Sequence, residues 1–318
     1  MPHQLHVPFT DSNFDEAAYL AAHADVRAAV RSGQFKSGRQ HFDIHGHKEG
    51  RSFLHARALE SLEAPRAAKM GRLRPLLRGD MTCVWVNGKA NYLTPELRAA
   101  TALSDTEAVS ANDYDPDVLA MISSLPEGLI LDCGAGLRAT YFENVVNYEI
   151  VDYPSTDVLG VGEELPFVDD AFDAIISVAV LEHVRDPFRC AEEIARVLKP
   201  GGRLYCCVPF LQPYHGYPNH YFNATPQGLR RLFSDRLAVT DVRVIESTHP
   251  IWALHWILAS WANGLPPATR KSFEAMTVKD LLRPPLGQIK APFCKQLPEE
   301  KLLELACATV LRAEKPLA

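Results

Sequence analysis

A chain of 318 residues, 47% hydrophobic and 23% charged, has room for one large core with appendages or for two domains, which excludes disorder as its main state. A formal net charge of −6 and a pI near 6.1 argue against a sequence-independent phosphate-binding surface, so no nucleic-acid partner is expected. Seven scattered cysteines with no Cys-x-x-Cys pair, a start without a basic-then-apolar leader and no run of roughly 18 apolar residues together predict a cytoplasmic protein with reduced thiols.

In chain order, alanine-rich Phe14 to Val30 predicts a helix with Asp11 or Ser12 as N-cap and Gly33 after its end. His41, His45 and His47 follow in a polar, aromatic stretch, but no cysteine or carboxylate set completes a coordination sphere there, and no metal is expected. Phe14-Asp15, Tyr19-Leu20, Asp25-Val26, His41-Phe42, Gly46 and Glu49-Gly50-Arg51 resemble a small helical module attached to bacterial glycosyltransferases and other surface-polysaccharide proteins. The resemblance covers about the first 55 residues and implies docking to polysaccharide-biosynthesis proteins rather than chemistry.

Arg57 to Leu77 reads as a connector with a short helix. Thr82 to Leu93 holds two β-prone runs around Asn87-Gly88, the preferred pair for a type I′ turn, and predicts a hairpin. Pro95 to Leu103 and Asp117 to Ser124 predict helices, the second presenting Val118, Leu119 and Ile122 on one face.

Leu129-Ile130-Leu131-Asp132-Cys133-Gly134-Ala135-Gly136 is the stretch around which the rest is organised. An apolar run suits a strand buried on both faces, and Gly134 and Gly136 lack the Cβ that would hold a ligand away from a tight turn. Val145 to Asp152 is a second β-prone run. Asp152, twenty residues beyond Asp132, has the spacing of an acid that accepts hydrogen bonds from ribose hydroxyls at the neighbouring strand tip. Phe172 to Val178 and Arg203 to Pro209 supply further strands around a helix from Phe188 to Leu198. This alternation predicts an α/β fold, a Rossmann-like, mostly parallel sheet with ligands beyond the strand C-termini.

These segments resemble the class I S-adenosylmethionine-dependent methyltransferases, nearest to their small-molecule and glycan branch. The carriers are Leu131 to Gly136, Asp152, Glu163-Glu164-Leu165-Pro166-Phe167, Ala171 to Ser177, Val180-Leu181-Glu182-His183-Val184, and Val197 to Gly202. The likeness spans roughly residues 112–245. It implies S-adenosylmethionine as cofactor, with Asp132, Gly134 and Gly136 on its methionine end and Asp152 on the ribose. It also places the segment around Leu165 against the adenine, with Glu163, Glu164 and Ser177 among the cofactor contacts. Two departures stand out: the first two crossover helices are cut down or missing, and Val161 occupies the place of an acid near the adenine amino group.

Methyl transfer to a hydroxyl needs an aligned nucleophile and a proton acceptor, and a histidine of near-neutral pKa suits the second task. His183, His215 and His220 are the candidates. Tyr214, Tyr217 and Tyr221, in the Pro209–Phe222 loop, offer stacking surfaces and hydroxyl tips for a sugar or other small-molecule acceptor. Towards the end, Trp252 and Trp256 lie one helical turn apart in residues 251–261, read first as a core helix and otherwise as a dimer or membrane-surface contact. Leu303 to Leu311 closes the chain as a strand or a helix. The expected organisation is a helical module over 1–55, a connector with a hairpin over 56–105, the sheet domain over 106–250 and a C-terminal helical extension over 251–318.

Overall fold

Eleven short strands carry the described residues of a computed structural model, which are 2–49, 51–54, 61–104, 106, 109, 113–216 and 218–315. They are β1 (Pro2–Gln4), β2 (His6–Pro8), β3 (Ser52–Leu54), β4 (Val84–Val86), β5 (Lys89–Asn91), β6 (Ile130–Cys133), β7 (Thr140–Phe142), β8 (Val145–Glu149), β9 (Val158–Leu159), β10 (Phe172–Val178) and β11 (Leu198–Cys207). Seven form one sheet in the order β11-β10-β6-β8-β9-β5-β4. All neighbours are parallel except β4 and β5, the expected hairpin. Asn87 and Gly88 both have positive φ, 50° and 77°, as a type I′ turn requires. The hairpin is the outer edge of the central sheet, not a free connector, because β5 pairs with β9 through Ala90 and Asn91.

Side chains alternate between the two faces, as strand geometry dictates. Leu131, Cys133 and Ile175 meet Met70 and Leu73 of the Glu63–Leu73 helix and Ala191, Ile194 and Val197 of the Pro187–Val197 helix. Ile130, Ala174 and Ile176 meet Val118, Met121 and Ile122 of the Pro116–Ser123 helix on the opposite face. Met121 takes the core position expected of Leu119, which is exposed, since residues three and four apart share a helix face. Helices thus cover both sheet faces, and β9-β8-β6-β10-β11 reverses its winding between β6 and β10.

No helix stands between Cys133 and Pro187, a stretch described throughout. The space a crossover helix would fill over β8 is taken by β7, which pairs antiparallel with β1, and by a buried polar cluster. Lys69 Nζ donates to Asp157 Oδ2 (2.8 Å) and lies 3.5 Å from the centre of the Tyr141 ring. Tyr141 Oη donates to Asp157 Oδ1 at 2.7 Å, and Asn147 N to Asp157 Oδ2 at 3.0 Å. Residues Glu63–Leu73, expected as a connector with a short helix, therefore form part of the central core.

The N-terminal helix divides at His23, whose extended backbone (φ −125°, ψ 92°) separates Glu16–Ala22 from Ala24–Arg31. Asp15, rather than Asp11 or Ser12, is its N-cap, accepting from Ala18 N at 2.7 Å. Phe9, Tyr19, Val26 and Phe42 make a small separate core there, and His41 is buried with Nδ1 3.0 Å from the Tyr19 hydroxyl. At the other end, Pro250–Asn263 buries only Ala262, in a local cluster with Leu265, Phe273 and Leu297. Trp252 and Trp256, expected in a core helix, are exposed on its first turns. The chain closes with a helix at Glu299–Glu304 and irregular backbone from Cys307 to Lys315.

Candidate active site

The carboxyl ends of β6, β8, β9 and β10 converge on a cleft with about 870 Å³ of empty space counted to its open mouth. It lies where the strand order reverses, the place at which open α/β sheets bind ligands. Its floor starts at Gly134, whose φ of +84° suits glycine alone. A Cβ there would stand 2.3 Å from Val180 Cγ2, so the loop after β6 and the loop after β10 touch only because this side chain is missing. Gly134 N and Ala135 N both donate to Tyr148 O (2.9 and 3.0 Å), fixing the turn against β8.

Glu149, the last residue of β8, lines this cleft. Its Oε2 accepts from Gly136 N and its Oε1 from Ile150 N, each at 2.7 Å. A carboxylate offers about four lone-pair sites, so both oxygens retain capacity for a diol. Burial raises its pKa against the opposing effect of these amide bonds. Asp152, the acid expected here from spacing, is absent from the cleft: its half-exposed carboxylate is bound by Lys89 Nζ. β8 ends three residues earlier than the apolar run suggests, because the chain turns away after Glu149.

Asp132 is fully buried beneath the floor. Its Oδ2 accepts from Arg138 Nη2 (2.7 Å) and Nε (2.9 Å) and from the Tyr114 hydroxyl, while Oδ1 has no hydrogen-bond partner among the described residues. Arg138, stacked 4.0 Å from the Tyr114 ring centre, lines the cleft wall, as does Arg185. On the next wall stand Val161 and Glu163; Glu163 Oε1 accepts from Arg185 N at 3.1 Å, and burial raises its pKa. Leu165 points instead into the core, Glu164 lies outside near Arg78, and Ser177 is buried within β10. None of these three lines the cleft.

The far end is formed by the turn after β10 and the Pro209–Phe222 loop. His183 lines the cleft, with its ring 5.1 Å from that of His215 and 5.9 Å from that of His220. The hydrogen bonds assign the tautomers, because a carbonyl can only accept. His183 Nδ1–H donates to Asn219 O (2.5 Å) and His215 Nδ1–H to Pro213 O (2.9 Å), which leaves each Nε2 with its lone pair. His220 is engaged at both nitrogens: Nδ1 accepts from His215 N (3.1 Å) and Nε2–H donates to Asn223 Oδ1 (2.8 Å). Burial lowers the pKa of His183 and His215, so both rings are neutral near pH 7.

Glu182 lies behind His183, fully buried, with its Oε1 3.7 Å from His183 Nε2 and neither carboxylate oxygen hydrogen-bonded among the described residues. Burial pushes its pKa up to about 8. Its carbonyl accepts from Tyr221 N (2.7 Å), which seats Tyr221 in the cleft wall. Tyr214 is exposed, stacked on His220 with ring centres 5.7 Å apart, and its amide donates to Glu304 O at 3.0 Å. Tyr217 lies outside the described residues.

Sequence reasoning missed Arg138 and Glu149 in the cleft wall and the buried place of Glu182 behind His183. Glu149 was findable as the acid directly beside the glycine turn in register, since Cys133 pairs with Tyr148 one residue before it. Arg138 carries no local signal, as only the missing crossover helix brings it back over Asp132.

Residues 131–206, less than half of the chain, match the family described as a methyltransferase domain. A demethylmenaquinone methyltransferase of Clavibacter sepedonicus is 33% identical over 104 residues, 31% of this chain and 40% of that protein. An uncharacterized methyltransferase of Mycobacterium tuberculosis is 34% identical over 128 residues, 34% of this chain and 52% of that one. The chain thus spans about half or less of the length of these curated relatives. Among solved structures, an S-adenosylmethionine-dependent methyltransferase of Thermotoga maritima, described as a possible histamine N-methyltransferase, is 26% identical with a TM-score of 0.31. That likeness covers 38% of this chain and 68% of the other. Among the described residues no helix is long and apolar enough to cross a membrane.

Proposed function

We propose that the chain is an S-adenosylmethionine-dependent methyltransferase that methylates a hydroxyl of a sugar or glycan intermediate. The observation that carries the cofactor reading is Glu149 at the tip of β8, lining a cleft whose floor is the Gly134 turn packed on Val180, within a segment that matches a methyltransferase domain. The residues fit that cofactor: Glu149 takes the ribose diol, Arg138 the carboxylate of the methionine end, and Val161 with Glu163 the adenine. Asp132 acts from below, holding the Arg138 fork in place. When bound, the cofactor supplies an electrophilic sulfonium methyl.

The chain's own contribution to the chemistry is alignment, which brings reacting atoms to about 3–3.5 Å, and removal of the acceptor proton. His183 is the residue for the second task, because its neutral ring lines the cleft and its Nε2, buried against Glu182 without a hydrogen bond among the described residues, keeps its lone pair. Tyr221 beside it supplies an aromatic wall of the kind that stacks on a sugar face. Residues 1–55 dock the enzyme to polysaccharide-biosynthesis proteins in the cytoplasm, a reading supported by the resemblance of that module.

Calorimetry with S-adenosylhomocysteine tests the cofactor half: micromolar binding by wild type, weakened in Glu149→Gln and unchanged in Asp152→Asn, is the expected result. Folded wild-type protein that binds neither this ligand nor S-adenosylmethionine overturns the proposal. Tritiated methyl label appearing in a glycan extract tests the acceptor half, and label confined to lipid quinones or amines would replace the sugar with those acceptors.

A further inference from the structure

We infer that Glu182, His183 and His215 form a binding site for a divalent transition-metal ion at the acceptor end of the cleft. One donor atom from each of these residues lies within 4.8 Å of the other two. Two imidazoles and one carboxylate are a donor set suited to Zn²⁺, Fe²⁺ or Co²⁺, with positions left for an exogenous oxygen. An ion about 2.1 Å from each donor would draw their separations to about 3.4 Å, a side-chain closure on the order of an ångström.

Two independent features point to a ligand there. The first is Glu182: a fully buried carboxyl group with no hydrogen-bond partner on either oxygen among the described residues, facing His183 Nε2, which is also buried and has no hydrogen-bond partner among them. Leaving such groups without partners is costly, and a cation between them satisfies both. The second is the outer hydrogen bonding. Metal-bound histidines characteristically donate their other ring N–H to a carbonyl or carboxylate, which fixes the tautomer and turns the lone pair to the ion. His183 does so to Asn219 O and His215 to Pro213 O. His220, with both nitrogens engaged, stands outside the set and supports it by accepting the His215 amide.

The sequence could not show this site, since thirty-one residues of chain lie between His183 and His215. The ion's use, holding an acceptor oxygen at its open position beside Tyr221 and lowering the pKa of that hydroxyl so that its proton passes to solvent, rests on the methyl-transfer reading and replaces His183 as base, whose lone pair the ion then occupies; its binding does not rest on that reading.

The test uses full-length protein stripped with chelator and titrated with Co²⁺ alone, followed by visible d–d absorption and by calorimetry. One equivalent is expected, with no thiolate charge-transfer band despite the seven cysteines. Glu182→Gln and His215→Ala should each weaken that equivalent by more than the roughly 10–100-fold typical of losing an outer-shell partner. His215 sits on a part-buried loop, so its variant reports even if replacing Glu182 unfolds the protein. Absence of Co²⁺ and Zn²⁺ binding by wild type, or an unchanged equivalent in His215→Ala, overturns the inference. S-adenosylhomocysteine binding to the metal-free protein, measured separately, reads the methyltransferase proposal on its own.

Discussion

The two ends of the cleft are built differently. The end at β6, β8 and β9 is made of strand tips with buried side chains and backbone amides, each cross-tied to a neighbouring strand. The end at His183 and the Pro209–Phe222 loop is irregular chain, fixed by a few bonds such as Tyr221 N to Glu182 O and Tyr214 N to Glu304 O. A rigid half suits a ligand whose shape never varies. A half made of loops, tied to the C-terminal helices, is where the shape of the cleft can change without disturbing the sheet.

The contrast predicts a graded set of outcomes. Asp157→Ala, which strands Lys69 in the core beneath β8, should cost about 3–5 kcal/mol in urea unfolding, the usual penalty for breaking a buried ion pair. Gly134→Ala combines positive φ with a contact to Val180 and should cost about 1–3 kcal/mol; adding Val180→Ala should recover part of that loss. A Gly134→Ala protein of undiminished stability would break the claim that the two loops touch there.

Glu149→Gln should weaken S-adenosylhomocysteine by roughly 10–100-fold, as expected for a hydrogen bond to a charged group. The same variant carries a pH signature. The folded-state pKa of Glu149 is raised above its ordinary 4.5 by burial, so the folded protein holds this proton more tightly than the unfolded chain. Its contribution to stability is full below pH 4.5 and is lost as pH rises through the raised value. Urea unfolding across that range should show wild type losing stability relative to Glu149→Gln as pH increases. Tyr214→Ala and Trp252→Ala, both exposed, should change stability by no more than about 0.5 kcal/mol. Tyr214→Ala should instead raise the acceptor KM with little change in cofactor affinity, and a stability loss above about 1 kcal/mol would put the loop in the rigid half.

Local patterning was sufficient for the main strands of the central sheet and their turns, but not for β1, β2, β3 and β7. The run Phe172–Val178 is strand throughout, Asn87-Gly88 turns a hairpin, and Asp132 to Gly136 ends a buried strand in a glycine turn, because these features depend on neighbours a few residues away. The site was legible only in part. Gly134, Glu163, His183 and Tyr221 line the cleft as the sequence suggests, whereas Asp132, Gly136, Asp152, Glu164, Leu165, Ser177, Tyr214, His215 and His220 do not. Spacing assumes a standard crossover between β6 and β8, and here that crossover is a short loop with β7, so counting twenty residues overshoots the strand tip to Asp152.

By itself, then, the sequence determined the hairpin around Asn87-Gly88, the strands β6, β8, β10 and β11 with a helix before the last of them, and the glycine turn after β6, since hydrophobic period and turn chemistry are local. Tertiary structure alone decided which acid lines the cleft, that Arg138 covers Asp132, and that Glu182 and His183 meet His215. Those choices depend on distances between segments far apart in the chain, and on which buried charges find a partner.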